Sequence, residues 1–349
     1  MSLFGSTFAE KLSYLKSKRD FAKTKLLMLK ILSAIFLLFI AAGARAQDGS
    51  FTQYYNLSNW LNPALTGSAP NYRFTTNYRH QWIRIDRAFQ SQTLGFDYNA
   101  DNINSGFGVL ITKMNAGDDS QHLEAGATYS YRITTDWFVL RMGLQPSYSI
   151  RSLSFNQYVF EDAMRSGRDT QEKLNADLRR FADVATGAAI YNDKFWGGFS
   201  LYHLLRPEIS AFQKGGERLP VRLNVHAGAR VRAWNDYDLY FTPSVQFQKQ
   251  GIFQQLDMTL GFEADPINFG FAFRGLPFIN SVSSPLNQDA FSFLSGFRMQ
   301  NLFVSFSYDF RVSRLFGSGG SYEITLTYSP RQDNRKKPSW KTVSCPMRF

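Results

Sequence analysis

Cysteine is all but missing from this chain. Cys345 is the single thiol among 349 residues, so no intrachain disulfide can form and stability must come from elsewhere. Histidine is equally scarce. His80, His122, His203 and His226 stand far apart, without the close spacing of a zinc or catalytic cluster. No Gly-x-Ser-x-Gly elbow, Walker loop, His-Glu-x-x-His helix or paired-cysteine motif occurs. Neither Gly197-Gly198 nor Gly317-Ser318-Gly319-Gly320 leads into a phosphate-cradling helix. The loop carboxylates Asp118-Asp119 and Glu161-Asp162 read as solvated faces rather than ion ligands. These absences argue against an enzyme, and no cofactor or metal is expected.

A charged body is missing too. The formal charge of +11 belongs to the two ends. Residues 1–46 hold eight Lys/Arg against two acidic residues, and residues 331–349 hold six against one. The body from Gln47 to Pro330 carries 25 of each sign, which gives no reason to expect a nucleic-acid partner. Long apolar runs are absent after the first segment. There, Leu26–Lys30 leads into Ile31–Gly43, and Ala44-Arg45-Ala46 precedes Gln47. A basic flank, a short apolar core and a small-x-small site describe a secretory signal peptide cut after Ala46, with Met28 as an alternative start. The core is broken by Lys30 and is short for a bilayer-spanning helix. Cys345 lies far from that cleavage site, so it is no lipoprotein anchor.

What is abundant is aromatic: 33 Phe and 17 Tyr. They recur with period two. Tyr72, Phe74, Thr76, Tyr78, His80 and Trp82 alternate with Arg73, Thr75, Asn77, Arg79 and Gln81. Leu302, Val304, Phe306, Tyr308, Phe310 and Val312 alternate with Phe303, Ser305, Ser307, Asp309 and Arg311. Similar segments over 219–232 and 321–329, and ten more between 88 and 299, give about fourteen strands with one apolar face each. Short turns such as Thr134-Thr135-Asp136 and Asp265-Pro266 alternate with longer polar stretches near 152–182, 206–218 and 280–289. Within 169–181, Leu174, Leu178 and Phe181 fall at helical spacing and suggest a short amphipathic helix.

A soluble sandwich also alternates, but its inner faces meet in a mixed aliphatic core. Here strand length suits a tilted bilayer crossing, and Trp82, Trp137, Trp196, Tyr237 and Tyr322 near strand ends suggest interfacial girdles. A closed wall also removes exposed sheet edges. The expected fold is all-β, a transmembrane antiparallel up-and-down β-barrel embedded in outer-membrane lipid. The expected organisation is a signal peptide at 1–46, a periplasmic segment at 47–70, the barrel at 71–330 and a basic tail at 331–349. Val304 and Phe306 should face lipid, and Ser305 the lumen, where even an arginine is expected to be tolerated.

Two end motifs go beyond what a generic pore needs. Residues 51–54 read Phe-Thr-Gln-Tyr, residues 62–67 read Asn-Pro-Ala-Leu-Thr-Gly, and Tyr78-Arg79-His80-Gln81-Trp82 follows. Ser200, His203, Leu204 and Pro207 form a Ser-x-x-His-Leu-x-x-Pro stretch, and the chain ends Cys345-Pro346-Met347-Arg348-Phe349. This set resembles the PorP/SprF family of type IX secretion system membrane proteins across essentially the whole mature chain. Two details depart from the family pattern: Met347 is inserted in the Cys-Pro-Arg-Phe ending, and Tyr322 precedes Glu323 where His is usual. The resemblance implies an outer-membrane barrel of a Bacteroidetes-type bacterium that serves secretion, and often gliding motility, for particular exported proteins. It further implies as partners secreted cargo with type IX C-terminal sorting domains and periplasmic ring components of the secretion system.

The residues themselves leave more than one reading of the ends. Pro63 fixes its φ and Gly67 permits a backbone that other residues resist, which makes a rigid lead-in folding under or into the barrel. Phe51, Tyr54, Tyr55 and Trp60 could plug the lumen or dock a partner peptide. Candidate partner-binding residues are Phe51, Gln53, Tyr54, Asn62, Pro63, Gly67, Cys345, Pro346, Arg348 and Phe349. A competing reading is an outer-membrane porin or hydrophobic-solute transporter, with Arg73, Arg79, Arg222, Arg230 and Arg232 lining an anion path.

Overall fold

The computed structural model describes residues 48–85, 89–117, 120–153, 177–209, 217–233, 238–276, 287–312, 317, 319–330 and 345. The expected signal peptide, Tyr237, both loop carboxylate pairs and the final residues Pro346, Arg348 and Phe349 lie outside them.

One antiparallel sheet contains β1 (Tyr72–Gln81), β2 (Gln90–Ala100), β3 (Ser105–Ala116), β4 (Ser120–Thr134), β5 (Val139–Leu153), β6 (Asp177–Tyr191) and β7 (Phe195–Tyr202). It continues through β8 (Arg222–Ala229), β9 (Val231–Arg232), β10 (Leu239–Gln250), β11 (Phe253–Ala264), β12 (Ile267–Leu276), β13 (Asn287–Met299), β14 (Leu302–Arg311) and β15 (Ser321–Tyr328). The two-residue β9 extends β8 past Arg230, and both pair with β10, so they share one place in the wall. The circle therefore has fourteen places, and β15 closes it on β1 over Phe74–Gln81. No helix among the described residues is long and apolar enough to cross a membrane.

Burial is inverted relative to a water-soluble protein. In β2, Leu94, Phe96 and Tyr98 are exposed while Ser91, Thr93 and Asp97 are buried. In β14, Phe306 and Phe310 are exposed while Ser305, Ser307 and Asp309 are buried. Alternation of this sign puts apolar side chains toward lipid and polar ones toward the lumen. Across strands the outward aromatics touch, as in the stacked Phe262–Phe269 pair with centroids 5.0 Å apart.

The connections sort by side. Tyr72 enters and Tyr328 leaves at the end that carries the short turns 101–104, 135–138, 192–194, 265–266 and 300–301. The opposite end carries 82–89, 154–176, 203–221, 277–286 and 312–320, together with the tight reversals 117–119 and 251–252. These ends are called the turn side and the loop side.

Two local expectations need correction. Leu178 and Phe181 lie in β6, not in a helix, because β5 offers an extended ladder down to the Leu153–Asp177 pair. One turn of amphipathic helix cannot compete with those cross-strand hydrogen bonds. Trp196 is no girdle residue: it is buried, opposite Gly228 in the register, and a Cβ on Gly228 would lie 2.2 Å from its ring. The missing side chain makes the space into which the indole turns.

Candidate functional site in the barrel lumen

The lumen is filled by the chain's own amino-terminal strap, residues 49–68. Expected as a periplasmic segment, this stretch lies inside the wall. It starts at the loop side, where Gly49 neighbours Met114 and Ser91, and descends to the turn side, where Gly67 packs on Gly106. Three short turns shape it: 3-10 turns at Tyr54–Asn56 and Pro63–Leu65, and a helical turn at Ser58–Leu61. Phe51, Tyr54, Tyr55, Leu57, Trp60, Leu61, Ala64 and Leu65 are all buried and form a hydrophobic core together with wall residues such as Leu110, Val139, Tyr191, Trp196 and Leu294. Phe51 meets Trp60 edge to face at 4.9 Å. A barrel with a polar inner face thus gains an apolar centre from a segment outside its own wall.

An ionic clamp holds the loop-side end. Glu323 accepts from the backbone N–H of Thr52 at 2.8 Å and of Gln53 at 3.2 Å. Arg79 bridges Asp309 at 2.6 Å and Glu323 at 2.8 Å, and also donates to the Thr52 hydroxyl at 2.7 Å. That hydroxyl donates in turn to Asp309, and Arg274, itself paired with Asp257 at 2.7 Å, reaches it at 3.2 Å. Gln53 completes the clamp: its amide nitrogen donates to the Glu323 carbonyl at 3.0 Å and to Ser307, and its oxygen accepts from Ser305 at 2.5 Å. Asn56 donates to Ser305 as well. Ser305 is therefore no roomy lumen position, and the expectation that arginine is tolerated there is overturned, because its hydroxyl already bridges two strap residues.

The middle of the strap is gripped by side chains that address its backbone. Ser200 donates to the Leu61 carbonyl at 2.7 Å and Tyr202 to the Trp60 carbonyl at 2.6 Å. Arg222 lies over the rings of Tyr202 at 4.2 Å and Trp60 at 5.0 Å. The Asn62 oxygen caps its own turn through the Ala64 N–H at 2.9 Å. Its nitrogen donates to the carbonyls of Ala188 and Phe199, both at 3.0 Å, and lies 3.2 Å from His226. The wall makes room with glycine. A Cβ on Gly187 would lie 2.1 Å from the Asn62 oxygen, and one on Gly143 2.3 Å from the Ala64 nitrogen.

At the turn side Arg141, almost fully buried, donates to the carbonyls of Thr66 at 2.8 Å and Gly67 at 2.7 Å, and to Ser130 and Tyr191. Asp97 accepts from the Gly67 N–H at 2.9 Å and pairs with Arg73 at 3.0 Å. Arg73 also reaches Ser58. Gly67 has a φ of +65°, and a Cβ there would lie 2.8 Å from Gly106 Cα, so two independent constraints require glycine. Cys345 is buried beside this end, its N–H 3.4 Å from the Ser68 carbonyl. The two end motifs thus meet across the chain. His203 pairs with Asp183 at 2.6 Å in the reversal after β7.

Of the expected partner residues, Phe51, Gln53, Tyr54, Asn62, Pro63 and Gly67 belong to the strap and are buried within the barrel, and Cys345 sits at its turn-side end. The arginines expected to line an anion path are engaged. Arg230 pairs with Glu263 at 3.0 Å and lies over Tyr240, while Arg232, in β9, pairs with Asp238 at 2.7 Å on the exposed surface. Sequence reasoning missed Arg141, Arg274 and Asp257. Their only signal was a charged residue on the polar side of an alternating strand. Among the described residues no group of three or more His, Cys, Asp or Glu is placed to hold a metal ion.

No curated protein matches the chain. Among solved structures it is similar to the Acinetobacter baumannii outer membrane protein Omp33, with 8% identity, a TM-score of 0.41, and coverage of 76% of this chain and 100% of that one. It is also similar to the CymD monoaromatic hydrocarbon channel, with 11% identity, a TM-score of 0.45, and coverage of 83% and 96%. The family described as type IX secretion system membrane protein PorP/SprF matches residues 44–328, spanning both the strap and the fourteen-place wall. This chain belongs to the PorP/SprF family of type IX secretion system membrane proteins.

Proposed function

We propose that this protein is a non-enzymatic binding component of the type IX secretion system in the outer membrane, assisting the secretion or surface anchoring of a limited set of cargo proteins, gliding adhesins among them. The observation that carries this reading is the filled lumen. A strap clamped by buried ion pairs at one end and by Arg141 at the other favours a rigid docking body over a conduit. Export relies on the signal peptide ending at Ala46. The N-terminal motif organises the interior, which leaves the C-terminal set around Cys345, Pro346, Arg348 and Phe349, with its basic approach, as the element that meets periplasmic ring components.

Deleting the gene should leave bulk export intact while stranding a few sorting-domain cargo proteins inside the cell. Truncation after Pro330 should spare the heat-modifiable folded band, since β15 ends at Tyr328, yet reduce co-purification of secretion components in mild detergent. Normal cargo display in both strains, together with altered small-solute uptake, would establish the porin reading instead.

A further inference from the structure

The strap has a direction, and the direction has a consequence. Its last residues lie at the turn side, where Gly67 packs against Gly106 at the start of β3 and Asn71 accepts from the Asn99 N–H at 2.6 Å. Its first residues lie at the opposite end. Gly49 sits between Ser91, one residue into β2, and Met114, two residues before the end of β3, both on the loop side. Thr52 is fixed between Arg79, Asp309 and Glu323, each within three residues of a loop-side strand end. The contacts run overall from the loop side at Gly49 and Thr52 to the turn side at Thr66 and Gly67, with a local rise at Trp60 and Leu61, whose carbonyls meet Tyr202 at the loop-side end of β7 and Ser200. Ser307 and Ser305 come after the clamp, then the Phe96 carbonyl, then Ala188, then Ser130.

We infer that the mature chain is threaded through its own barrel, so that Gly49 opens on the loop side, the outer face of the membrane, while Ser329, just after β15, lies on the periplasmic face. Outer-membrane barrels carry their short turns in the periplasm and their long loops outside, which fixes the sign of the direction. The usual arrangement, with both ends periplasmic, would require the strap to enter from the turn side and fold back on itself. The loop-side clamp opposes that route: Thr52 is held by four side chains of the wall, Arg79, Arg274, Asp309 and Glu323, and moving it to the turn side would break its hydrogen bonds to all four. The inference rests on the outer-membrane reading of the barrel. It adds a surface-exposed amino end on the face that an exported protein would meet.

The test is labelling of whole cells with a membrane-impermeant maleimide, using single-cysteine variants of the full chain in a Cys345→Ser background. Asp48→Cys reports the amino end, and Ile252→Cys the tight loop-side reversal, where Ile252 is 70% exposed. Trp137→Cys reports a periplasmic turn, where Trp137 is 83% exposed. A short epitope inserted between Gln47 and Asp48, read with antibody on intact cells, gives an independent measurement should the cysteine at position 48 be poorly reactive. Label at positions 48 and 252 in intact cells, and at 137 only after permeabilisation, is the expected result. Label at 252 with neither label nor epitope accessible at the amino end would overturn the threading. Label at 137 but not at 252 would reverse the barrel and overturn the outer-membrane orientation on which the threading depends.

Discussion

At the scale of single residues, the clamp shows how a few charges decide where a segment goes. Glu323 is fully buried and satisfies Arg79 together with two strap N–H groups. Glu323→Gln keeps the shape but removes the charge, leaving Arg79 with Asp309 alone and two backbone donors facing a weaker acceptor. Breaking one side of a buried ion pair costs about 3–5 kcal/mol. The temperature at which the folded band converts to the unfolded one on a gel should fall, and protease should cut the strap near Thr52. An unchanged conversion temperature would mean that the clamp is not what holds the strap. The alternation put Arg79 and Asp309 on the polar face but could not pair them, because they stand 230 positions apart and only the closed wall brings them to 2.6 Å. Gly67 was legible as a special backbone position. Gly143 and Gly187 were not, since a glycine within a strand gives no sign of what approaches it.

At the scale of the strand, period-two patterning carries most of the architecture, because each strand must satisfy lipid on one side and the lumen on the other. The expected facing of β14 holds, with Phe306 and Phe310 outward and Ser305 and Ser307 inward. Replacing Val304 or Phe306 with Arg should cost about 2–4 kcal/mol near the bilayer midplane. Ser305→Arg should also destabilise the protein, by a different route: it inserts a long cation where a hydroxyl bridges Gln53 and Asn56. The two effects separate by assay. Lipid-face variants should impair membrane assembly in proportion to bilayer thickness, whereas Ser305→Arg should be insensitive to thickness and should expose the strap to protease. Thickness dependence at all three positions would contradict an occupied lumen at Ser305. A place near a strand end misleads where the alternation itself does not. Trp196 sits at a strand end as a girdle residue would, yet it shares the inward parity of Ser200 and Tyr202 and fills the space left by the bare Gly228 opposite. The helical spacing of Leu178 and Phe181 loses to the ladder that β5 presents.

At the scale of the whole molecule, the wall and its filling are separable, and that separation is testable. Wall strands are held by cross-strand hydrogen bonds and lipid-facing apolar side chains, while the strap is held by side chains on the inner face. Gly143→Val should therefore expel the strap and leave the wall: even the first added carbon would lie 2.3 Å from the Ala64 nitrogen, closer than any van der Waals contact allows. Its main chain in β5 continues to pair with β4 and β6 as before. In planar bilayers the unaltered protein should conduct poorly, and Gly143→Val should open a path whose current is anion-favouring, because Arg141 loses its carbonyl partners at Thr66 and Gly67. The folded band should persist in both proteins. Composition alone could not reveal this division, since aromatic residues facing lipid and aromatic residues filling a lumen count alike. Only the position of Phe51, Tyr54 and Trp60 outside any alternating stretch hinted at a separate task. Equal conductance from the two proteins, with the strap shown by proteolysis to be released in the variant, would mean that ions pass beside the strap, and the filled lumen would cease to favour binding over transport.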